Sequence, residues 1–250
     1  MTEGLVRRGG HVLRPMGTWT PAVHEYLRYL AAAGFTGAPR VAGIEGDREV
    51  LTYVEGDVAV DPEWRPGRGH RLPAYARGDR ALTGAAELIR RLHTAAAGFR
   101  PAITEYRFHP HPPRPGEIVS HGDLGPWNTV YRDGVPVAFI DFDAARPVEP
   151  IIELAAAAWA YVPLAPARRL REAGFEPPPD LPGRLRRFVD AYGLADRRSI
   201  LPALQGVKVL GAEQIATWPI GPAGAAGALE FVAGELRWLD GVIEDLGRAL

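Results

Sequence analysis

Cysteine is absent from this 250-residue chain, and lysine is almost absent. Without cysteine there is no disulfide framework and no thiolate metal site. The only lysine, Lys208, is preceded by Val207 where the phosphate-binding Walker A loop has glycine, so that loop is excluded. The Gly-x-Ser-x-Gly and His-Glu-x-x-His motifs are also missing, which removes the usual support for serine hydrolase and zinc protease functions.

A strong charge imbalance and a long apolar run are lacking as well. The formal net charge is -1, so neither nucleic acid nor an anionic membrane is expected as a partner. The apolar stretch Ile151–Tyr161 is too short to span a bilayer, and we find no N-terminal signal pattern, so a cytoplasmic location is the expectation. The composition, 46% hydrophobic and 24% charged, is typical of a soluble globular protein.

The N-terminal segment predicts the order hairpin, helix, hairpin. Gly9-Gly10 suits a tight turn, because glycine takes positive φ at both turn positions. Thr20 followed by proline predicts a helix start with Thr20 as the N-cap, and Gly34 predicts its end. The expected strands are Leu5–Arg8, His11–Arg14, Val41–Ile44 and Glu49–Val54.

The rest of the chain predicts a larger, mainly helical part. A loop rich in proline, glycine and arginine is expected over Asp61–Gly78, and a helix over Ala81–Ala97. A short strand at Glu117–Ser120 precedes a second hairpin, Thr129–Arg132 and Val135–Ile140. Further helices are expected at about residues 149–161, 183–192, 199–217 and 224–248.

Between that short strand and the hairpin, residues 121–128 read His-Gly-Asp-Leu-Gly-Pro-Trp-Asn. The hairpin brings Asn128, at the start of one strand, alongside Asp141, at the end of its partner. Asp123 lies just before them, near the same edge. Two oxygen ligands for a cation beside a free carboxylate are what magnesium-assisted phosphoryl transfer requires. Asp143 is either a further ligand or a hydrogen-bond partner of the loop.

These residues resemble the catalytic loop and metal-binding aspartate of kinase-fold enzymes, with Asp141-Phe-Asp143 in place of Asp-Phe-Gly. The His-Gly-Asp form, the Asp-x-Asp ending and the helical C-terminal half are similar to the aminoglycoside phosphotransferase/choline kinase-like family. The resemblance covers most of the chain in the order of its elements, although only residues 120–143 are highly specific.

The resemblance implies an α+β, bilobal protein kinase-like fold. A small β-rich N-lobe with one helix would occupy residues 1–55, and a larger, mainly helical C-lobe residues 56–250. It also implies transfer of the γ-phosphate of ATP or GTP to an alcohol group of a small hydroxylated molecule. Asp123 would be the base, Asn128 and Asp141 would hold Mg²⁺, and His121 would support the loop.

The N-terminal end departs from this family. A kinase-like small lobe has a hairpin over the phosphates and then a strand lysine that contacts them, but only thirteen residues precede Arg14. Arg14, at the end of an edge hairpin, is the expected replacement for the lysine, although its planar fork is not a geometric substitute for an ammonium group. Its expected partner on the helix is Glu25, with a solvent-facing Glu25 as the alternative.

Three accounts of this departure stay open. In the first, Arg14 and the catalytic loop suffice for an active kinase with an open phosphate site. In the second, the chain is a non-catalytic pseudokinase module that binds a nucleotide or another ligand. In the third, the sequence starts downstream of a real N-terminal strand. The intact acidic and amide residues favour activity.

The two ligand pockets are less visible in the sequence. By the resemblance, Thr52, Tyr53, Val54 and Glu55 form the hinge whose backbone binds the nucleotide base, which does not distinguish ATP from GTP. The acceptor pocket is expected among the C-terminal helices, where no acidic cluster indicates a polycationic aminoglycoside. Four aromatic residues either line that pocket or fill the core: Trp127, Trp159, Tyr161 and Trp218.

Overall fold

The computed structural model describes residues 4–61, 70–215 and 221–250. Its N-terminal part is a four-stranded antiparallel sheet in the order β1-β2-β4-β3, with helix α1 (Thr20–Ala32) connecting β2 to β3. The strands are β1 (Val6–Arg8), β2 (His11–Pro15), β3 (Val41–Glu45) and β4 (Arg48–Thr52). The predicted order of hairpin, helix and hairpin is confirmed.

Strand β2 lies inside this sheet, between β1 and β4. In the antiparallel register Arg14 is opposite Glu49, and Leu13 is opposite Val50. Directly opposite residues share one face of a sheet, so Arg14 and Glu49 lie together on the face away from Leu13. The prediction that Arg14 ends an edge hairpin is therefore wrong, and the residue is buried, with 4% of its surface exposed.

Helix α1 begins one residue away from the predicted cap. Trp19 is the N-cap residue, and the Thr20 hydroxyl instead accepts a hydrogen bond from the Gly17 N–H at 2.9 Å. Gly34, at φ +79°, follows the end of the helix as predicted, and its N–H bonds to the Ala31 carbonyl oxygen. The helix buries its apolar face in the core, including Val23, Tyr26, Leu27 and Leu30.

The remaining strands form two small antiparallel sheets. Strands β5 (Asp57–Val58), β7 (Thr129–Arg132) and β8 (Val135–Phe139) make one sheet, in which β7 and β8 are the predicted second hairpin. Strands β6 (Ile118–Ser120) and β9 (Arg146–Val148) make the other. Strands of two or three residues carry too little alternation to be recognised, which is why β5 and β9 were missed.

The helices of this part are α2 (Asp79–Ala96), α3 (Pro150–Tyr161), α4 (Ala167–Glu172), α5 (Leu181–Tyr192), α6 (Ile200–Ile215) and α7 (Gly221–Arg248). All except the short helix α4 were predicted. The predicted loop Asp61–Gly78 and Trp218 fall partly or wholly outside the described residues. Within the described residues, the helices lack the length and apolarity needed to cross a membrane.

One core joins the N-terminal sheet and helix to the helical part. Helix α2 packs its buried face against α5 and β8. Tyr26 of α1 stacks on Phe99 with ring centroids 5.2 Å apart, and meets Phe142 edge-on at 6.1 Å. Since Phe142 is flanked by Asp141 and Asp143, α1 packs directly behind the predicted site.

Candidate active site

The His-Gly-Asp loop, residues 121–128, connects β6 to β7 and requires glycine at its second position. Gly122 has φ +82°, a conformation that residues with a Cβ rarely adopt. A Cβ at this position would lie 1.9 Å from the carbonyl oxygen of Ala144. The loop is thus in direct backbone contact with the turn that follows Asp141.

His121 is buried and connects the loop to the end of β8. Its Nε2 lies 2.9 Å from the Ile140 carbonyl oxygen, and its Nδ1 lies 3.3 Å from the Asp123 backbone nitrogen. Because Nδ1 accepts the Asp123 N–H, the ring proton is on Nε2 and is donated to Ile140. Every polar group of the ring is used within the loop and its neighbour, which suits the supporting role implied by the resemblance.

The Asp123 carboxylate is held by two side chains of its own loop. Asn128 Nδ2 donates to its Oδ2 at 2.8 Å and to the Asp123 carbonyl oxygen at 2.9 Å, and Trp127 Nε1 approaches Oδ1 at 3.4 Å. The carboxylate lies in the wall of a cavity. Shielding by the surrounding protein raises the pKa of Asp123, and the charge of Asp141 adds to this, although His121 and the two hydrogen bonds oppose it.

Asn128 and Asp141 are neighbours, as the hairpin predicted. The Ile140 N–H donates to the Asn128 carbonyl oxygen at 2.9 Å, so the residue after Ile140 begins beside Asn128. Asp141 has a left-handed backbone, with φ 64° and ψ 64°, which aspartate tolerates better than most residues. Its side chain is 38% exposed, so the carboxylate faces the site rather than the core.

Arg14 reaches both aspartates of the Asp-Phe-Asp segment from the N-terminal sheet. Its Nη1 lies 2.7 Å from Asp141 Oδ1, its Nη2 2.5 Å from Asp143 Oδ1, and its Nε 2.7 Å from Glu49 Oε1. The second oxygen of Glu49 is 2.7 Å from His24 Nε2. We call Arg14, Glu49, Asp141 and Asp143 the acidic cluster, because one guanidinium faces three carboxylates.

The charges of this cluster change the pKa values of its members. Burial alone would lower the pKa of Arg14, but the charges of Asp143, Glu49 and Asp141 outweigh it and raise the pKa. For Asp143, burial raises the pKa of the carboxyl, the charge of Arg14 opposes the rise, and that of Asp141 adds to it. With three carboxylates on one guanidinium, the cluster has too little positive charge.

The predicted pairing of Arg14 with Glu25 is wrong. Glu25 instead accepts hydrogen bonds from the backbone N–H groups of Ala102 and Ile103, at 2.8 and 2.9 Å. It therefore holds the segment after α2, and Glu49 of β4 is the carboxylate that meets Arg14. The cause is the β2–β4 register, which places Glu49 directly opposite Arg14 and which the sequence did not reveal.

The predicted hinge, Thr52 to Glu55, connects β4 to β5. Two of its backbone N–H groups are already bonded, that of Thr52 to Arg40 and that of Tyr53 to Gly10. The Glu55 carbonyl oxygen accepts a hydrogen bond from Arg132 Nε at 3.0 Å. Val54 makes no hydrogen bond to another described residue, and neither does the Glu55 N–H, so these groups are open to a ligand.

A cavity of about 400 Å³ opens beside Asp123. Of the predicted aromatic residues, Trp127 and Trp159 line it, whereas Tyr161 is buried with its hydroxyl 2.5 Å from Thr129 Oγ1. The rest of the wall is mostly apolar. It also includes charged residues that sequence reasoning missed, because no motif contains them: Arg146, Glu153, Arg169, Lys208 and Glu235.

Glu153 of α3 connects the cavity wall to the His-Gly-Asp loop. Its Oε1 accepts the Gly122 N–H at 2.6 Å, and its Oε2 lies 2.9 Å from His93 Nε2. The other ring nitrogen of His93 is 2.9 Å from the Tyr192 hydroxyl. Burial alone would raise the pKa of Glu153, but His93 and the Gly122 N–H outweigh it, and the pKa is lowered.

Two comparisons by sequence give a match to known proteins. The model of a phosphotransferase enzyme family matches residues 102–176, which contain the His-Gly-Asp loop and Asp141. The trifolitoxin immunity protein of Rhizobium leguminosarum bv. trifolii is 32% identical over 200 residues, which make up 78% of this chain and 72% of that protein.

Solved structures share the fold at low identity. An aminoglycoside phosphotransferase from Streptomyces rimosus, in complex with ADP and streptomycin, has a TM-score of 0.51 at 17% identity, covering 83% of this chain and 93% of that chain. A macrolide 2′-phosphotransferase from Brachybacterium faecium, an apoenzyme structure, has a TM-score of 0.54 at 15% identity, covering 89% and 84%. The predicted bilobal α+β fold is confirmed.

Proposed function

We propose that this chain, which belongs to the phosphotransferase enzyme family, is a small-molecule kinase that transfers the γ-phosphate of ATP or GTP to a hydroxyl group. One observation carries the proposal. Asp123, Asn128 and Asp141 meet at one end of the β7–β8 hairpin, and Asp123 also lies in the wall of a cavity large enough for a small molecule.

In the proposed reaction Asp123 is the general base. It accepts the proton of the acceptor hydroxyl as that oxygen bonds to the γ-phosphorus, and the bond from this phosphorus to the bridging oxygen of the leaving nucleoside diphosphate breaks. The hydrogen bonds from Asn128 and Trp127 hold the carboxylate in place for this step. Its raised pKa favours proton transfer, because a stronger base accepts a proton more readily.

Magnesium is the ion that the family implies, and the residues here fit it. Asn128 hydrogen-bonds through Nδ2, which leaves its amide oxygen for a cation, and Asp141 is partly exposed beside it. The acidic cluster also has more negative than positive charge, which favours a cation. Asn128 and Asp141 would hold the ion, with Asp143 as a further candidate, and the bound ion would neutralise phosphate charge.

A cage of protein ligands is not needed for this role. Within the described ranges, no three His, Asp or Glu side chains are grouped so as to hold a metal ion. Magnesium commonly takes one or two carboxylates and completes its shell with waters and substrate phosphates. Two protein ligands at the end of the hairpin are therefore a sufficient set.

Arg14 and the hinge supply the proposed contacts to the nucleotide. Each nitrogen of Arg14 already donates to a carboxylate, so only the second N–H of each Nη is left for a phosphate oxygen. At the hinge, Val54 and the Glu55 N–H are the open backbone groups. Thr52 and Tyr53 would contribute shape rather than hydrogen bonds from their N–H groups.

The engagement of Arg14 is also the observation that favours the alternative, a non-catalytic module that binds a nucleotide or another ligand. A guanidinium held by three carboxylates is a weaker phosphate contact than a free lysine. Calorimetric titration with ATP and with GTP, with and without Mg²⁺, tests both functions. Absence of binding at millimolar nucleotide would overturn the kinase and also a nucleotide-binding module, and binding without transfer to any hydroxyl compound in a broad screen would favour the alternative.

The names of similar proteins indicate which acceptors such a screen should contain. The Rhizobium relative is named for immunity to trifolitoxin, and two structural neighbours are named for aminoglycosides and macrolides. We propose antimicrobial compounds with free hydroxyl groups as the first class to test. Phosphorylation of a hydroxyl would alter the charge and shape that the target of such a compound recognises.

A further inference from the structure

The wall of the cavity beside Asp123 contains a group of charged side chains that the proposed reaction does not use. Lys208 of α6 and Arg169 of α4 both bind Glu235 of α7. Lys208 Nζ lies 2.7 Å from Glu235 Oε2, and Arg169 Nη1 lies 3.0 Å from Glu235 Oε1. We call these three residues the cationic cluster, because two cations share one carboxylate.

Aromatic rings hold both cations in place. Lys208 Nζ lies 4.0 Å from the centre of a Trp159 ring, and the Arg169 guanidinium carbon 4.4 Å from that of Phe231. Both are distances at which a cation is attracted to the face of a ring. The side chains are only 19% and 26% exposed, so the cluster is formed before any ligand arrives.

The cluster has one positive charge more than it has negative charge. Arg169 donates a hydrogen bond to Glu235 Oε1, Lys208 makes an ion pair but no hydrogen bond with Oε2, and Glu235 is 6% exposed. Arg169 Nε is buried without a hydrogen-bond partner among the described residues, and so is the Nε of Arg146, also in the cavity wall. Uncompensated positive charge and unused donors in a shielded site favour an anionic ligand.

The acidic residues of the same wall are already engaged. Glu153 uses one oxygen for the Gly122 N–H and the other for His93. Asp123 is held by Asn128 and Trp127, and in the proposed function it must accept the hydroxyl proton. A ligand with several ammonium groups would find no free carboxylate in the described wall and would face Lys208 and Arg169.

Apart from His70 and Ser120, the remainder of the wall is mostly apolar. Leu124, Val148 and Ile152 lie on the side of the loop and α3, and the apolar wall also includes Leu164, Leu170 and Phe231. An acceptor must therefore make apolar contacts with the wall as well as pair its charge with the cationic cluster. The wall suits a molecule with an apolar body and one polar end.

We propose that the cavity binds a hydroxylated, mainly apolar molecule with a carboxylate or a similar single anionic group, which pairs with Lys208 and Arg169. The proposal deepens the proposed function, because it names the class of acceptor at the same site. The hydroxyl of that molecule lies at Asp123. Anion binding itself needs neither nucleotide nor transfer.

Equilibrium binding without nucleotide tests the proposal. The probes are ω-hydroxyhexanoate, ω-hydroxyoctanoate and ω-hydroxydecanoate, each titrated by calorimetry beside its primary amide and the amino alcohol of equal length. At least one acid should bind about ten- to a hundredfold more tightly than its amide, the factor expected for a charge-assisted hydrogen bond in a shielded site. The amino alcohols should bind more weakly than the amides.

Variants locate the anion site. Lys208→Met should lower the affinity for the acid towards that of the amide, because Arg169 alone remains and is paired with Glu235. Arg169→Met is the second variant, for use if the first does not fold. Arg168→Met is the matched control, since the Arg168 side chain is 84% exposed and pairs with Glu172 on the surface of α4, and acid affinity should not change.

Two outcomes would overturn the proposal. In the first, none of the acids binds at millimolar concentration, or those that bind do so no more tightly than the matching amide or amine. In the second, the preference for acids persists in both folded cluster variants. Loss of nucleotide binding or of transfer, with acid binding intact, would count against the proposed kinase function alone.

Discussion

The acidic cluster and the cationic cluster are opposite solutions to the same problem of placing buried charge. In the acidic cluster, the single cation Arg14 is bound by Glu49, Asp141 and Asp143. In the cationic cluster, the single anion Glu235 is bound by Arg169 and Lys208. Each is a charge-assisted network, and each leaves an excess of one sign.

The sign of the excess charge in each cluster indicates which ligand charge that region would accept. An excess of carboxylate beside Asp141 favours a cation, whereas the excess of cation within the cationic cluster, in one part of the cavity wall, favours an anion. A formal net charge of -1 for the whole chain conceals this separation. Asp123 lies in the cavity wall and is also within electrostatic reach of Asp141, which places it where the two ligands would meet.

Substitution of that central residue should have the largest effect. Asp123→Asn keeps the shape of the side chain but removes the proton acceptor, so turnover should fall by about 10²–10⁴-fold. Nucleotide affinity and the melting temperature should barely change. Kinetics, calorimetry and a thermal melt of the same preparation check this, with Asp133→Asn, in an exposed turn, as the control. Full turnover in the folded variant would rule out Asp123 as the base.

Removal of the one cation from the acidic cluster should destabilise the protein strongly. Arg14→Met leaves Asp143 mostly buried without its counter-ion and leaves the buried Glu49 with His24 as its one partner, and breaking a buried pair costs about 3–5 kcal/mol. Denaturant unfolding measures the free energy. Arg8→Met is the control, because the Arg8–Glu45 pair is exposed and should contribute less than about 1 kcal/mol. A loss no larger than that of the control would mean that the cluster does not stabilise the fold.

The pH dependence of stability tests the role of Glu153, which belongs to neither cluster. Glu153→Gln replaces the carboxylate that binds the Gly122 N–H and His93 with a neutral amide. The free energy of unfolding should fall by about 1–3 kcal/mol at neutral pH. The pKa of Glu153 is lowered in the folded protein, so its stabilisation is complete above the ordinary value of 4.5 and is lost as the pH falls through the folded pKa. The difference in melting temperature from the unmodified protein should therefore shrink below about pH 4.5. A difference that is constant from pH 7 to pH 3 would contradict this account.

Removal of one cation from the cationic cluster should have the smallest effect on stability. Lys208→Met leaves Glu235 paired with Arg169, so the buried carboxylate keeps a counter-ion, and the loss should be about 1 kcal/mol. The same unfolding experiment as for Arg14→Met gives a direct comparison. A loss as large as that for Arg14→Met would show that the two clusters do not differ in the way described.

The parts of the fold that depend on local pattern were predictable. The hairpins with glycine turns, the helix ended by Gly34, and the spacing from His121 to Asp143 are all read from neighbouring residues. The short strands β5 and β9 and helix α4 have too few residues to show a period. Trp19 rather than Thr20 caps α1 because Thr20 bonds back to Gly17, a choice that composition does not reveal.

The parts of the site that depend on packing between distant segments were not predictable. The register of β2 on β4 decided that Arg14 meets Glu49 and not Glu25. The cationic cluster joins three helices, and its members carry no motif. Only one signal was available in advance, namely that the single lysine of the chain, Lys208, lies on an otherwise apolar helix segment.

The dependence of nucleotide affinity on magnesium is the sharpest test of a kinase site at Asp123, Asn128 and Asp141. In calorimetric titrations, the unmodified protein should bind ATP or GTP more tightly with Mg²⁺ than without it, because Asn128 and Asp141 would share the ion with the phosphates. In Asp141→Asn this gain should largely disappear, whereas Asp133→Asn should keep it. An affinity that does not respond to magnesium, or a gain that survives in folded Asp141→Asn, would contradict a kinase site built around Asp123, Asn128 and Asp141.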